Sequence, residues 1–172
     1  MKAIKLLLIS FLVVCVSTTN VVANSVTDQT YPQAQAEVIE TFLAIRQSIM
    51  DGAGLGKDTE YMDQLISFHA YGPKFTEFND GALWNSAENE EHERTLFGEI
   101  VDPGGVKTFW FQPDSLNVAV YYGNVANLTF ISDFELMIGG TLHPVKNLIT
   151  LLFVKTKGEW KMVHEHHSPV SE

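Results

Sequence analysis

Trp160-Lys161-Met162-Val163-His164-Glu165-His166-His167-Ser168 is the last periodic stretch of the chain, and it holds three of the six histidines. A strand sends alternate side chains to opposite faces. On that alternation Trp160, Met162, His164, His166 and Ser168 share one face, while Lys161, Val163, Glu165 and His167 share the other. The first set begins apolar and ends polar, as a strand does when it leaves a packed core and finishes at the mouth of a pocket. Trp160, His164, His166 and Ser168 are therefore expected to face a cavity, and Glu165 and His167 to face solvent or a partner copy.

The segments before it are also β-like. Lys157-Gly158 reads as a tight hairpin turn, preceded by a strand over 145–155. Gly139-Gly140 and Pro144 bracket another turn. The apolar, β-branched run 117–130 reads as one long strand with a bulge at Gly123-Asn124, and 134–138 continues or pairs with it. Val106 to Gln112 is a strand rich in Phe and Trp, closed by Pro113-Asp114-Ser115.

The N-terminal half is helical. Val38, Phe42, Ile45 and Ile49 recur at helical spacing and predict a helix over 33–50, ended by the glycines of Asp51-Gly52-Ala53-Gly54-Leu55-Gly56. That loop follows a helix rather than a strand, so its glycines do not make a dinucleotide site. Asp58 or Thr59 caps a second, short helix, and Gly72-Pro73 stops it. Lys74 to Asn79 alternates as a short strand, and 82–86 is a loop carrying Trp84. Residues 88–100 form a third helix, whose run Glu88-Asn89-Glu90-Glu91-His92-Glu93 is read as a solvated start. Helices first and a meander of long strands after predict one α+β domain over 33–170: a strongly curved antiparallel sheet with about three helices segregated to one face. Such a sheet leaves a cavity, a usual place for a ligand.

Residues 1–23 do not belong to that domain. Met1-Lys2-Ala3-Ile4-Lys5 is basic, 6–16 is apolar except for Ser10, and Val21-Val22-Ala23 offers small residues to a signal peptidase. This predicts a signal peptide, a polar leader over 24–32, and a periplasmic or secreted mature chain with no membrane association after cleavage. The only cysteine, Cys15, lies in the signal, so the mature chain can form no disulfide. The net charge is −10, and it becomes −12 without Lys2 and Lys5. An acidic chain with no basic stretch argues against nucleic acid as a partner.

His166 is the first candidate for chemistry, because an imidazole exchanges protons near neutral pH. Ser168 could orient it or bond a ligand oxygen. The plainer possibility is that the two satisfy each other at the sheet end. His164, His69, Tyr71, Asn79, Trp84, Trp110, Tyr121 and Trp160 are candidate pocket residues. His164 with His166 makes a His-x-His pair that could bind zinc if a further ligand came close. No second short-spaced ligand pair accompanies it, so neither a metal nor a cofactor is expected.

The element order and the ending Gly158-Glu159-Trp160 followed by His164-Glu165-His166-His167-Ser168 resemble the SnoaL-like branch of the NTF2-like superfamily. The resemblance implies an NTF2-like, cystatin-like cone, commonly dimeric through the outer face of the sheet. That superfamily includes isomerases, cyclases, dehydratases and proteins that only bind or oligomerise, so fold does not decide function. Its isomerase-type members use a cavity carboxylate with Tyr or protonated Asp donors. Those positions find no match here, since Asp80 and Asp133 are read as turn residues. Two functions follow as expectations. One is a non-catalytic binding module, a homodimer, taking a small hydrophobic molecule. The other is a cofactor-free isomerase, cyclase or dehydratase with His166 as acid or base.

Overall fold

The computed structural model describes residues 30–170. The expected signal peptide and residues 24–29 of the expected leader lie outside the described residues. Among the described residues no helix is long and apolar enough to cross a membrane.

Helix α1 spans Pro32–Gly52, with proline at its first turn, where a missing N–H costs nothing. Its stripe Val38, Phe42, Ile45 and Ile49 is buried as the spacing predicts. Helix α2 spans Glu60–Ser67 and is capped by Thr59, whose hydroxyl accepts from Met62 N at 3.4 Å. Helix α3 spans Ser86–Thr95 and runs on into a π-helical turn, Leu96–Ile100. It opens on a capping box: Asn85 Oδ1 accepts from Ala87 N and Glu88 N, and Glu88 returns a bond from Asn85 N. The loop after α1 needs its glycines. Gly54 has φ +72°, and a Cβ there would lie 2.3 Å from Pro103 N, in a segment tied to the loop by the bond from Gly104 N to Ala53 O.

The strands are β1 (Thr76–Asn79), β2 (Ala82–Trp84), β3 (Val106–Phe111), β4 (Asn117–Tyr121), β5 (Val125–Ile138), β6 (Thr141–Thr156) and β7 (Glu159–Pro169). They form one curved, unclosed sheet in the order β2-β1-β7-β6-β5-β3, with β4 beside the first half of β5. This is the expected α+β cone, with four corrections. The sheet is mixed, because β1 runs parallel to β7. Residues 82–84 form a strand on β1 rather than a loop. The run 117–130 is a hairpin, not one bulged strand: Tyr122 (φ 55°) and Gly123 (φ 71°) turn the chain so that β4 folds back on β5. Tyr121 and Tyr122, at that turn, are therefore exposed, and neither joins the core. Asp133 also lies within β5 opposite Lys146, not in a turn.

The helices pack on the inner face of the sheet, against Val118, Leu128, Phe130, Ile149, Phe153 and Met162. Burying such a residue contributes roughly 1.5–3 kcal/mol. Side-chain bonds pin α1 to the sheet: Gln35 Nε2 donates to Val118 O at 3.1 Å, and Glu37 accepts from Lys155 Nζ and Trp160 Nε1.

A buried His–Glu–His array at the end of the cavity

Strand β7 does not keep a single alternation. Leu152 pairs with His164 but Phe153 pairs with Met162, so Val163 is an extra residue with no partner on β6. Such a bulge moves everything after it to the opposite face. Trp160 and Met162 point inward before it, and Glu165 and His167 point inward after it. The expected faces are thus reversed from His164 onward. His164, His166 and Ser168 lie on the outer face, and Glu165 and His167 reach the cavity.

The outward residues satisfy one another. His164 Nδ1 donates to Thr76 O at 2.9 Å, Ser168 Oγ lies 3.0 Å from His166 Nε2, and Phe78 packs edge-on against both imidazoles. Trp160 is buried, and its indole N–H is spent on Glu37. Trp84 packs against His92 at 4.1 Å on the surface, away from the cavity. Trp110 stands opposite Asp133 on β3, and its side chain lies outside the described residues. Among the described residues no group of three or more His, Cys, Asp or Glu is placed to hold a metal ion.

Inside, four elements bring polar groups together. His69 follows α2, and backbone bonds from Ala70 N to Met162 O (2.7 Å) and from Met162 N to Phe68 O (2.8 Å) dock it on β7. Its Nδ1 faces Leu65 O at 3.1 Å, and its Nε2 faces Glu165 Oε1 at 2.8 Å. Leu65 O can only accept, so Nδ1 donates, and Nε2 donates as well to the Glu165 carboxylate, an arrangement that favours the imidazolium form of His69. Burial opposes that charge, but the Glu165 carboxylate outweighs it and holds the His69 pKa above its usual value. His167 Nε2 lies 3.5 Å from Glu165 Oε2, and this bond likewise raises the His167 pKa against its burial. Burial pushes Glu165 up, yet the two imidazoles, His69 foremost, bring it below the ordinary carboxylate range.

Parallel pairing sets Glu77 of β1 beside Glu165. Glu77 is fully buried, and its Oε2 accepts from Asn89 Nδ2 at 2.6 Å. Its Oε1 makes no hydrogen bond and stands 4.0 Å from His167 Nε2. Burial and then Glu165 push its pKa up. Tyr71 stacks on His69 at 4.8 Å and donates to Asn89 Oδ1, and Asn79 sits on β1 opposite His167. Glu93, one helical turn after Asn89 on α3, is 8% exposed and lines the cavity. Burial and the charge of Glu165 keep its carboxyl protonated well past the usual range.

The array forms the polar end of a cavity of about 60 Å³ whose other walls include Phe42, Ile45, Ile49, Phe97 and Phe130. That is small beside the roughly 300–1,000 Å³ of pockets for drug-sized ligands. Of the sequence-derived candidates, His69 lines the cavity and Tyr71 supports it, while Glu77, Glu93, Glu165 and His167 were not among them. Glu93 carried a signal. Asn89, Glu93 and Phe97 share a helical face, so the apolar side of α3 leads back to a carboxyl.

A curved sheet closed by helices over a part-polar cavity defines the NTF2-like class. Within it, the SnoaL-like domain family's profile matches residues 57–172, and the chain belongs to that family. No curated protein matches the sequence. Several solved structures share the fold. An NTF2-like superfamily protein from Salmonella enterica serovar Typhimurium is 16% identical with TM-score 0.62, covering 82% of this chain and 94% of that one. A candidate dehydratase of the NTF2-like family from Streptomyces avermitilis is 18% identical with TM-score 0.62, covering 80% and 96%. The association domain of C. elegans CaMKII is 16% identical with TM-score 0.59, covering 80% and 97%.

Proposed function

We propose that this SnoaL-like domain is a non-catalytic binding module for a small, largely apolar ligand held in the cone cavity. One observation carries the reading: a largely apolar cavity ends in convergent polar groups from His69, Glu93, Glu165 and His167. Their arrangement suits orienting a ligand that carries one polar group. The basic, apolar and small-residue segments of 1–23 support a periplasmic or secreted location for the mature chain. Exposed Phe78, Leu83 and Leu148 on the outer face of the sheet support a homodimer through that face, and the likeness to a CaMKII association domain fits self-assembly.

A second reading has its own observation. His167 and Glu165 form an imidazole–carboxylate pair at the cavity wall, an arrangement suited to cofactor-free proton transfer in an isomerase, cyclase or dehydratase. In that reading His167 takes the role expected of His166.

Native mass spectrometry of the mature protein, joined to a fragment screen read on the ring resonances of His69 and His167, tests the binding module. Fragments that shift both rings support it. A screen in which no fragment moves either ring removes it. Turnover of a bound fragment that is lost in His167→Gln would replace it with the enzymatic reading.

A further inference from the structure

Glu93 is a buried carboxyl that makes no hydrogen bond or ion pair to any described residue, although it lines the cavity. A polar group in that position costs stability unless something bonds to it. The other groups at this end are largely committed. Both oxygens of Glu165 face imidazoles, and Glu77 Oε2 is held by Asn89. Tyr71 is spent on Asn89. His92, the next imidazole along α3, has its pKa lowered by burial and by His167 and adds no charge. When every carboxyl is ionised, the cluster holds three carboxylates, Glu77, Glu93 and Glu165, against two imidazoliums, His69 and His167. It is one positive charge short. Burial and the charge of Glu165 favour a proton on Glu93 in the free protein, which would supply the balance.

We propose that the cavity takes a short primary alkylamine, bound as its ammonium ion against Glu93 with the alkyl chain along Phe42, Ile45 and Ile49. This rests on the binding-module reading above and names its ligand class. The ammonium brings the missing charge, and an opposite charge within hydrogen-bond reach favours an ionised carboxyl. The Glu93 proton therefore leaves for solvent as the ammonium arrives, and net charge inside the cavity is conserved. Volume limits the tail. A cavity of about 60 Å³ has room for only a short chain of non-hydrogen atoms. The net charge of −10 draws cations toward the molecule at low salt.

The test uses the mature chain at pH 7, titrated with n-propylammonium chloride and separately with 1-propanol, a neutral molecule of nearly the same shape. Binding is read on the His69 and His167 ring resonances, and proton release by calorimetry in two buffers of different ionisation enthalpy. The expected result is binding of the amine at least about tenfold tighter than the alcohol, with about one proton released per chain. Glu93→Gln, which keeps the shape and stays neutral, should bring the amine down to the level of the alcohol and abolish the proton release. Alcohol binding as tight as amine binding, or amine binding with no proton released, overturns the proposal and leaves the binding module standing. Silence toward both probes overturns the proposal and counts against the binding module as well.

Discussion

Glu165 Oε1 lies 2.8 Å from His69 Nε2, while the other nitrogen of the same ring is held by Leu65 O. The ring is thus fixed as a cation at its site, and Glu165 is its counter-ion. Removing one partner of a buried pair leaves the other charge without compensation, at about 3–5 kcal/mol. Glu165→Gln keeps the volume and removes the charge, so it should destabilise the fold by that amount in urea denaturation. His166→Ala, on the exposed outer face, should stay within about 0.5 kcal/mol of wild type. Equal losses from the two substitutions would contradict the reversal of faces at Val163.

The same cluster sets the pH profile. Glu93 and Glu77 are raised, so their contribution is full below the unfolded carboxyl pKa of about 4.3 and is lost as pH rises through their folded values. His69 and His167 are also raised, so theirs is full below about 6.5 and is lost as pH rises through their own folded values. Glu165 is lowered, so its contribution is present above about 4.3 and is lost as pH falls. Stability should therefore peak on the acid side of neutrality and decline toward alkaline pH. Glu93→Gln cannot ionise, so its decline should be shallower, with a higher Tm than wild type at about pH 9. Parallel thermal curves for the two proteins across that range would show that Glu93 is already ionised at neutral pH.

Much of this fold could be read from side-chain period and turn residues. Val38, Phe42, Ile45 and Ile49 mark the buried side of α1, and Gly139-Gly140 and Lys157-Gly158 turn where turn chemistry puts them. Tyr122-Gly123-Asn124 was harder, because the aromatic residues before Gly123 favour continuing a strand. The site was hidden for two reasons. Strand β1 inverts the usual pattern, burying Glu77 and exposing Phe78. The bulge at Val163 arises from pairing with β6, a partner distant in sequence, and nothing local to Met162-Val163-His164 marks it. A one-residue slip then exchanged Glu165 and His167 for His164 and His166.

Gly54 and Gly139 separate backbone strain from close approach. Both have positive φ, +72° and +57°, but a Cβ on Gly139 meets nothing within 4 Å, while one on Gly54 meets the Asp102–Pro103 backbone at 2.3–2.6 Å. Gly139→Ala should cost only the left-handed conformation, about 1–2 kcal/mol. Gly54→Ala adds an overpacking penalty of roughly 1–3 kcal/mol. Chemical denaturation of both variants measures the difference. Equal costs would mean that the loop moves away from Asp102–Pro103 freely.

The outer face supplies the last test. Leu83 pairs with Phe78, Phe78 with His166 and His166 with Thr150, so these residues form one row across the sheet, and Leu148 joins its neighbouring row opposite Ile131. Leu83 is 60% exposed, Leu148 48% and Phe78 46%. In a two-fold dimer each position is buried twice. Losing two buried leucines at roughly 1.5–3 kcal/mol each weakens association by more than about 100-fold. Leu148→Lys should therefore turn a dimer into a monomer in sedimentation velocity at micromolar concentration, with the thermal stability of the monomer unchanged. Leu55→Lys, equally exposed but on the loop after α1, should leave the dimer intact. A wild-type chain that sediments as a monomer, or a Leu148→Lys dimer, would mean that copies do not associate through this face. Phe78 and Leu83 would then need a partner other than a second copy of the chain.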